Sequence, residues 1–308
     1  MLRNFEELRS SGAALTSNTI VVAAAHDEHT LNAVYAASKA SPMSYILVGN
    51  RKRIMEISSE LSVVPNEDAI VDCDSGTDCA YKAVALIREK RGGILMKGML
   101  ETGTLLKAVL DKETGIKERA TMSHLAVLEI PAYHKLISVT DGGMLTSPTQ
   151  EQKADIVRNT VEFYRRLGYS RPKIAAICAG EVVSEKIPET VDARQLQIMC
   201  ERGVLGDCLL EGPISFDIAI SAKSAKAKGF ISAIAGDVDI LLVPSITVGN
   251  VLSKGLLYWG GAKMAGCVLG ASVPIVLVSR AASTEEKLLS IQLCLKIGDS
   301  HGLLDSGN

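Results

Sequence analysis

The feature that most constrains the fold of this chain is a regular alternation of short apolar runs and longer segments with helical periodicity. Near the N-terminus, apolar runs at residues 19–25, 44–49, 69–74 and 94–98 are separated by amphipathic segments at 29–39, 51–61 and 78–92. Runs rich in Val and Ile are typical of parallel strands that are buried on both faces, and a 3.6-residue period is typical of helices. The alternation therefore predicts an α/β fold.

Composition narrows the possible partners. The 308 residues are 47% hydrophobic and 22% charged, which predicts a globular protein with a large core. Aromatic residues make up 4% and the net charge is −2, so we expect no nucleic-acid partner. Charge-free stretches such as 264–279 contain Gly, Ser and Pro and are too short to span a bilayer, so we expect no membrane association. The N-terminal residues carry charges of both signs and no apolar signal region, which favours the cytoplasm.

The length predicts two domains, because a single core grows inefficiently beyond roughly 250–300 residues. We expect two three-layer α/β/α domains with a cleft between them. Residues 1–143 and 282–308 would form the first domain, and 144–281 the second. Two apolar runs at 123–130 and 134–140 are joined by a short Pro-containing connection, which predicts antiparallel strands near the junction. The helix that follows, at 147–168, has Ser147 as its expected N-cap and ends at Gly168.

Cysteines and histidines show no metal-binding pattern. The seven cysteines form no CxxC pair and have no nearby histidine to complete a zinc site, so we expect reduced, mostly buried thiols. His26 and His29 stand three residues apart, but a solvated first helical turn capped by Asp27 is favoured over a metal site. We predict no bound metal.

Common nucleotide, zinc-protease and serine-hydrolase motifs are absent, so the ends of strands are the strongest candidates for a site. In LMKGMLETGTLLK, a strand ends at Lys97 and a helix begins near Thr102, followed by Lys107. Helix N-terminal amides, a hydroxyl and two lysines would suit an anion at the carboxyl end of a parallel strand. The alternative, that Thr102 is simply the helix N-cap, remains open.

A second strand end carries the predicted catalytic pair. In PIVLVSRAASTEEK, the run at 275–278 is followed by Ser279 and Arg280, whose hydroxyl and guanidinium suit a tetrahedral centre beside a phosphate. Glu286 is a candidate general base. Ser283 and Glu286 also have the spacing of a capping box, and this second interpretation of Glu286 is favoured.

Further candidates for substrate binding lie in the middle of the chain. Asn250 and Lys254 are four apart in GNVLSKG, at the expected start of a helix, where Asn250 could equally be an N-cap. Ser123 and Asp141 flank predicted strands and could instead have ordinary turn and cap roles.

The ordered set of segments resembles the phosphate acetyltransferase and phosphate butyryltransferase family, and the butyryl branch most closely. The segments include VAAAHDEHTLNAV, SHLAVLEIPAYHKLISVTDGGM, PTQEQKADIVRNTVEFYRRLG and GDVDILLVPSITVGNVLSKGLLY, together with the two strand ends above. The resemblance implies a fold like that of isocitrate and isopropylmalate dehydrogenases and a homo-oligomer built on dimers. It implies reversible transfer of a short-chain acyl group between coenzyme A and inorganic phosphate, with coenzyme A as substrate and no bound cofactor. Phosphate acetyltransferase activity and a non-catalytic module that senses coenzyme A or acyl phosphate are the alternatives.

The resemblance also assigns roles to residues. The family's catalytic serine and phosphate-binding arginine fall on Ser279 and Arg280. Lys107 stands where the acetyl branch has an arginine, and Glu286 where that branch has an aspartate proposed as base. Ala282 replaces an aspartate that is common in the butyryl branch, so the identity of the base stays open. The implied mechanism is direct attack in a ternary complex, without an acyl-enzyme.

Overall fold

The computed structural model describes residues 2–10, 19–279 and 282–297. In chain order the helices are α1 Phe5–Ser10, α2 Glu28–Ala40, α3 Arg51–Glu60, α4 Gly76–Arg88, α5 Thr102–Val109, α6 Gln150–Arg166, α7 Pro188–Glu201, α8 Phe216–Ile220, α9 Ala222–Ala227, α10 Ile246–Tyr258 and α11 Thr284–Ile297. The strands are β1 Thr19–Ala23, β2 Ser44–Gly49, β3 Ile70–Asp72, β4 Ile94–Lys97, β5 Ser123–Glu129, β6 Ile137–Thr140, β7 Lys173–Ile177, β8 Leu209–Ile214, β9 Ile240–Leu242, β10 Lys263–Leu269 and β11 Ile275–Val276. The alternation predicted from the sequence is confirmed.

The described residues form two compact units. The first unit comprises 19–119, 265–279 and 282–297, and the second comprises 2–10 and 120–264. These limits differ from the domain boundaries at 143/144 and 281/282 expected from the sequence. Strand pairing explains the difference, because β11 pairs with β4 and so belongs to the first unit, whereas β6 pairs with β9 and so belongs to the second.

The first unit is built on the strand order β3-β2-β1-β4-β11-β10. Neighbours from β3 to β11 pair in parallel, and β10 pairs antiparallel with β11. Chain order runs outward from β1 to β3, then returns to the other side of β1 at β4. The apolar run of β1 is fully buried from Ile20 to Ala23, as expected for a central parallel strand with both faces covered.

The second unit has the strand order β5-β6-β9-β7-β8. β5 and β6 are antiparallel, which confirms the prediction for this pair, and the other neighbours are parallel. Its core contains residues from strands and from the segment 216–243, including Leu128, Val139, Ile214, Ile218 and Leu241. The N-terminal helix α1 joins this unit: the Phe5 amide donates to Glu129 Oε2 at 2.7 Å.

Side-chain caps fix several helix starts. Asp27 caps α2 through a hydrogen bond from the Thr30 amide, as predicted. The predicted cap of α6 was wrong: Thr149, not Ser147, is the N-cap, and it forms a capping box with Gln152. Both positions satisfy the S/T-x-x-Q spacing, and the structure selects the one that lies after Pro148.

Within the described ranges, no helix combines the length and apolar character needed to cross a membrane.

Candidate active site

The strand order of the first unit creates a natural ligand site. Sequence order reverses between the neighbouring strands β1 and β4, and in open α/β sheets ligands bind beyond the carboxyl ends of the strands at such a reversal. Three adjacent parallel strands, β1, β4 and β11, end on this edge. The chain segments that follow them would supply the binding groups.

A cavity lies at this edge. Its space, including open solvent, is about 210 Å³, and it is lined by residues of all three segments and of α11: Asp27, Lys97, Gly98, Met99, Ser279 and Lys287. The sequence points to Lys97 and Ser279 independently, at two distant strand ends, and the structure brings them together here. The formal charges of its lining side chains are two positive and one negative, which favours an anionic ligand.

The two lysines of the cavity are almost completely buried. Lys97 is 2% exposed, and its Nζ donates to the carbonyl oxygens of Gly98 and Leu100, each at 3.2 Å. Lys287 is 4% exposed, and its Nζ donates to the carbonyl oxygen of Ala282 at 3.1 Å. For Lys287, the carbonyl oxygen of Ala282 satisfies one donor without neutralising the charge, so positive charge is retained beside the cavity.

Gly98 allows β4 to approach β1 at the cavity wall. The amides of Gly98 and Met99 donate to the carbonyl oxygens of Ala23 and Ala24 at 2.9 and 2.8 Å. A Cβ atom on Gly98 would lie 2.2 Å from the Ala24 oxygen, so a side chain cannot be accommodated without moving the backbone. The close approach keeps the Lys97–Met99 segment against the end of β1.

Ser279 lies three residues after β11. It lines the cavity and is exposed. The predicted strand at 275–278 is shorter than expected, because ladder pairing covers only Ile275 and Val276. Arg280, the other member of the predicted catalytic pair, lies outside the described residues.

The threonine loop begins α5 as predicted, with one correction. Glu101, not Thr102, occupies the N-cap position, so the alternative that Thr102 caps the helix is wrong. Thr102 is the first residue of α5 and is half-buried, while Lys107 is exposed in the last turn. Phosphate binding by these two residues stays a prediction.

Glu286 forms the capping box that the sequence favoured. Its Oε2 accepts from the Ser283 amide at 3.0 Å, and the Glu286 amide donates to Ser283 Oγ at 3.1 Å. One carboxylate oxygen is therefore engaged at the start of α11. The role of Glu286 as a general base stays a prediction.

Ser123 and Asp141 come together in the second unit, but both are fully buried. Asp141 accepts hydrogen bonds from the amides of His124, Gly143 and Met144 at 3.2, 2.8 and 2.8 Å. Ser123 Oγ accepts from Asn159 Nδ2 at 3.2 Å. These contacts show Asp141 organising the loop after β6, and a substrate contact by either residue stays a prediction.

Asn250 and Lys254 lie one turn apart on α10, and both are exposed. Ser245 is the N-cap of this helix, so the expectation that Asn250 stands at the helix start, and its alternative role as N-cap, are wrong. The helix begins four residues earlier because Ser245 Oγ accepts from the Val248 amide. Substrate binding by Asn250 and Lys254 stays a prediction.

The cysteines are free thiols, and most are buried. Burial raises the pKa of Cys79 and of Cys178 to about 12, which disfavours the thiolate. Cys200 differs, because a hydrogen bond from the Cys208 thiol lowers its pKa to about 7, and their sulfurs lie 3.6 Å apart. In the described part of the chain, no group of three or more His, Cys, Asp or Glu side chains is placed to hold a metal ion.

Sequence reasoning missed Lys287 and treated Asp27 only as a helix cap. A signal for Lys287 was available: it stands at helical spacing with Ser290, Ile291 and Cys294, all of which are buried. A lysine within a buried helical stripe is unusual and marks a position that needs a compensating partner.

Comparison with known proteins places the chain in a family. The model of the family described as phosphate acetyl/butaryl transferase matches residues 73–294. Phosphate butyryltransferase from Clostridium acetobutylicum is 39% identical over 293 residues, which are 95% of this chain and 97% of that protein. Phosphate acetyltransferase from Thermotoga maritima is 38% identical over 274 residues, covering 89% of this chain and 93% of that protein.

Solved structures give the same result. The crystal structure of a branched-chain phosphotransacylase from Enterococcus faecalis V583 has a TM-score of 0.79 and 33% identity, covering 91% of this chain and 98% of that one. A 4-hydroxythreonine-4-phosphate dehydrogenase from Klebsiella pneumoniae, with a TM-score of 0.54 and 14% identity over 92% of this chain and 99% of that one, shares the fold alone. The expected dehydrogenase-like α/β fold is thus confirmed. The chain belongs to the phosphate acetyl/butaryl transferase family and is an acyltransferase.

Proposed function

We propose that this enzyme transfers a short-chain acyl group reversibly between coenzyme A and inorganic phosphate, with butanoyl-CoA + phosphate = butanoyl phosphate + CoA as its reaction. The observation that carries the proposal is the meeting of Ser279 with Lys97 and Lys287 at the ends of β1, β4 and β11. A hydroxyl donor beside buried cations matches the needs of an acyl centre that bears a phosphate.

In the direction of thioester formation, the coenzyme A thiolate attacks the acyl carbonyl, forming the C–S bond as the bond between carbon and the phosphate oxygen breaks. A free thiol has a pKa of about 8.5, so modest assistance generates the thiolate near neutral pH. Ser279 donates a hydrogen bond to the developing oxyanion. Arg280 and Lys107 neutralise the departing phosphate, and no acyl-enzyme forms.

The preferred acyl group in this proposal is butanoyl, with acetyl as the alternative. Identities of 39% and 38% to a butyryltransferase and an acetyltransferase differ too little to decide. Selectivity for one methylene needs only about 1–3 kcal/mol, which small differences in pocket shape supply. The acyl chain is therefore a question for measurement.

Two further properties belong to the proposal. We infer that the protein self-associates, because the end of α10 leaves Val251, Tyr258 and Trp259 at 67%, 75% and 93% exposure, and clustered apolar surface marks protein contacts. We place it in the cytoplasm, which its free cysteines favour, since thiols persist in reducing compartments. Coenzyme A acts as a dissociable substrate, and no bound cofactor is proposed.

The first test is thiol release from acetyl-, propionyl-, butyryl- and isobutyryl-coenzyme A, each with and without inorganic phosphate. Phosphate-dependent release, fastest with butyryl-coenzyme A, is the expected result, and a faster rate with acetyl-coenzyme A would favour the acetyltransferase alternative. A folded protein that binds coenzyme A but releases no thiol would contradict the proposal and favour a sensing module.

The second test concerns the catalytic pair. Replacing Ser279 with Ala should lower kcat by about 10²–10³-fold, the usual effect of removing one oxyanion donor. Arg280→Ala should remove most turnover. Ser59→Ala, an exposed position on α3, is the matched control and should leave kcat unchanged. Wild-type turnover in the Ser279 variant would remove it from the mechanism.

A further inference from the structure

Lys287 is a buried cation whose surroundings do not neutralise it. It lies in the first turns of α11, is 4% exposed, and its Nζ donates to the Ala282 carbonyl oxygen. Within residues 2–10, 19–279 and 282–297, no carboxylate is salt-bridged to it. An ammonium group has three donors, and a buried charge is costly unless it is paired. Its remaining donors therefore call for an anion.

The place of Lys287 in the fold indicates which anion it binds. It lines the same cavity as Ser279, Lys97 and Asp27, at the reversal of strand order. Asp27 also caps α2, with Oδ1 accepting from the Thr30 amide at 3.0 Å. The Ala282 carbonyl oxygen does not neutralise the charge of Lys287, so an anion can bind beside it in the cavity. In the proposed reaction, the anion that must lie beside Ser279 is inorganic phosphate.

We propose that Lys287, together with Lys97, binds the oxygens of the phosphate that accepts the acyl group, and so orients it beside Ser279. This rests on the proposed acyltransferase reaction and deepens it. The two ammonium groups, carried by the end of β4 and by α11, would contact the phosphate from different elements. Lys287 is then a substrate-binding residue for phosphate, distinct from the cap formed by its neighbour Glu286.

The informative variant is Lys287→Gln, which removes the charge but keeps an amide donor for the Ala282 carbonyl oxygen. Lys287→Arg retains the charge, and Lys52→Gln, at an exposed position of α3, is the matched control. We expect Lys287→Gln to raise the KM for phosphate by about ten- to a hundredfold, as loss of a charged hydrogen bond predicts. The KM for butyryl-coenzyme A should change less than about twofold, and the Arg variant should recover part of the phosphate KM.

A binding measurement separates a ligand role from a structural one. Inorganic phosphate should raise the Tm of the wild type and of Lys52→Gln, because a ligand that binds only the folded state stabilises it. Lys287→Gln should lose most of this shift while unfolding near the wild-type Tm in phosphate-free buffer. Equal destabilisation with and without phosphate, and an unchanged phosphate KM, would overturn the proposal and make Lys287 a structural residue.

A second ligand identifies the source of the phosphate. Adenosine 3′,5′-bisphosphate carries the 3′-phosphate of coenzyme A and one of its two 5′-phosphates, without the thiol. If Lys287→Gln loses stabilisation by this nucleotide but keeps that by inorganic phosphate, the cavity binds coenzyme A and the proposal is overturned. If the wild type shows the Lys287-dependent phosphate shift but no thiol release, the binding inference stands and the proposed reaction fails.

Discussion

Glu286 and Lys287 are neighbours in the chain whose side chains have different surroundings. Glu286 is half-buried and accepts from the Ser283 amide at 3.0 Å, whereas Lys287 is buried and lines the cavity with Ser279. Consecutive helical residues point about 100° apart, so proximity in sequence to Ser279 does not tell which of the two faces a ligand. The capping contact and the cavity make that distinction.

Two substitutions at Glu286 separate the roles of cap and base. Glu286→Gln keeps a capping acceptor but cannot take a proton, and we expect kcat at saturating substrate to be unchanged. Glu286→Ala should lower the free energy of unfolding by about 1 kcal/mol, the typical value for a lost cap. Steady-state kinetics and urea denaturation measure both effects. A large fall in kcat for Glu286→Gln, with unaltered stability, would establish the base instead.

Cys200 is the thiol whose reactivity should stand apart at neutral pH. A hydrogen bond from Cys208 lowers its pKa to about 7, so the thiolate fraction rises through neutral pH. We expect its alkylation by iodoacetamide, followed by mass spectrometry, to accelerate between pH 6 and 8 and then level off. Cys79, whose pKa is raised to about 12, should stay unmodified. Cys208→Ala should move the acceleration to higher pH, and an identical profile in that variant would contradict this account.

At the scale of elements, the end of β4 depends on a glycine. β4 lies between β1 and β11 and delivers Lys97 to the cavity. Beyond the strand, the backbone amides of Gly98 and Met99 continue the hydrogen bonding to the end of β1. The backbone of Ala24 occupies the volume that a side chain at Gly98 would need. The geometry of the cavity wall is therefore set by backbone contact.

Gly98→Ala tests this contact against a matched glycine. We expect a loss of about 1–3 kcal/mol in the free energy of unfolding, the usual cost of overpacking, and a weaker phosphate-dependent Tm shift. Gly103→Ala, in the first turn of α5 with nothing within 4 Å of the added Cβ, should stabilise by about 0.5–1 kcal/mol. Urea denaturation of both variants measures the two opposite changes in the free energy of unfolding. Equal effects would mean that the Ala24 contact does not constrain β4.

At the scale of the whole molecule, the second unit contains a buried charge network. Lys135, fully buried, donates to Asp239 Oδ1 at 2.6 Å and to the carbonyl oxygen of Asp237 at 2.9 Å, and Lys173 pairs with Asp237. Burial alone would raise the pKa of Asp237, but hydrogen bonds from Lys173, Lys135 and His134 outweigh it and hold the pKa well below its ordinary value. The network joins the segments that precede β6 and β9 to β7.

This network predicts how stability depends on pH. Because the pKa of Asp237 is depressed on folding, its contribution is complete above the unfolded value of about 3.9 and is lost as the pH falls below it. We expect the urea midpoint to fall between pH 5 and 2, with proteolysis near the midpoint cutting first within 120–264. Asp237→Asn should be less stable at pH 7 and show a shallower fall. Asp68→Asn, at an exposed position of the first unit, should follow the wild type; a parallel fall in Asp237→Asn would exclude the network as the cause.

The sequence by itself determined the class and position of most elements. Apolar runs such as that of β1 predict strands that are buried on both faces. The short connection between β5 and β6 predicts their antiparallel pairing. Local capping signals are carried by Asp27 and by the Ser283–Glu286 pair. These features depend on residues a few positions apart, so a linear pattern suffices. The family was evident from ordered motifs for the same reason. The roles of Ser279 and of the other residues at strand ends stay predictions.

The tertiary structure alone decided which strand ends meet. Nothing along the chain says that β11 pairs with β4, although this pairing brings Ser279 to Lys97, sets the limits of the two units and gives Lys287 its place. The structure also shows that Thr149, and not Ser147, caps α6, and that Ser245 caps α10. The physical reason is that periodicity records how much of each element is buried, whereas strand order and side-chain surroundings depend on contacts between residues far apart in sequence.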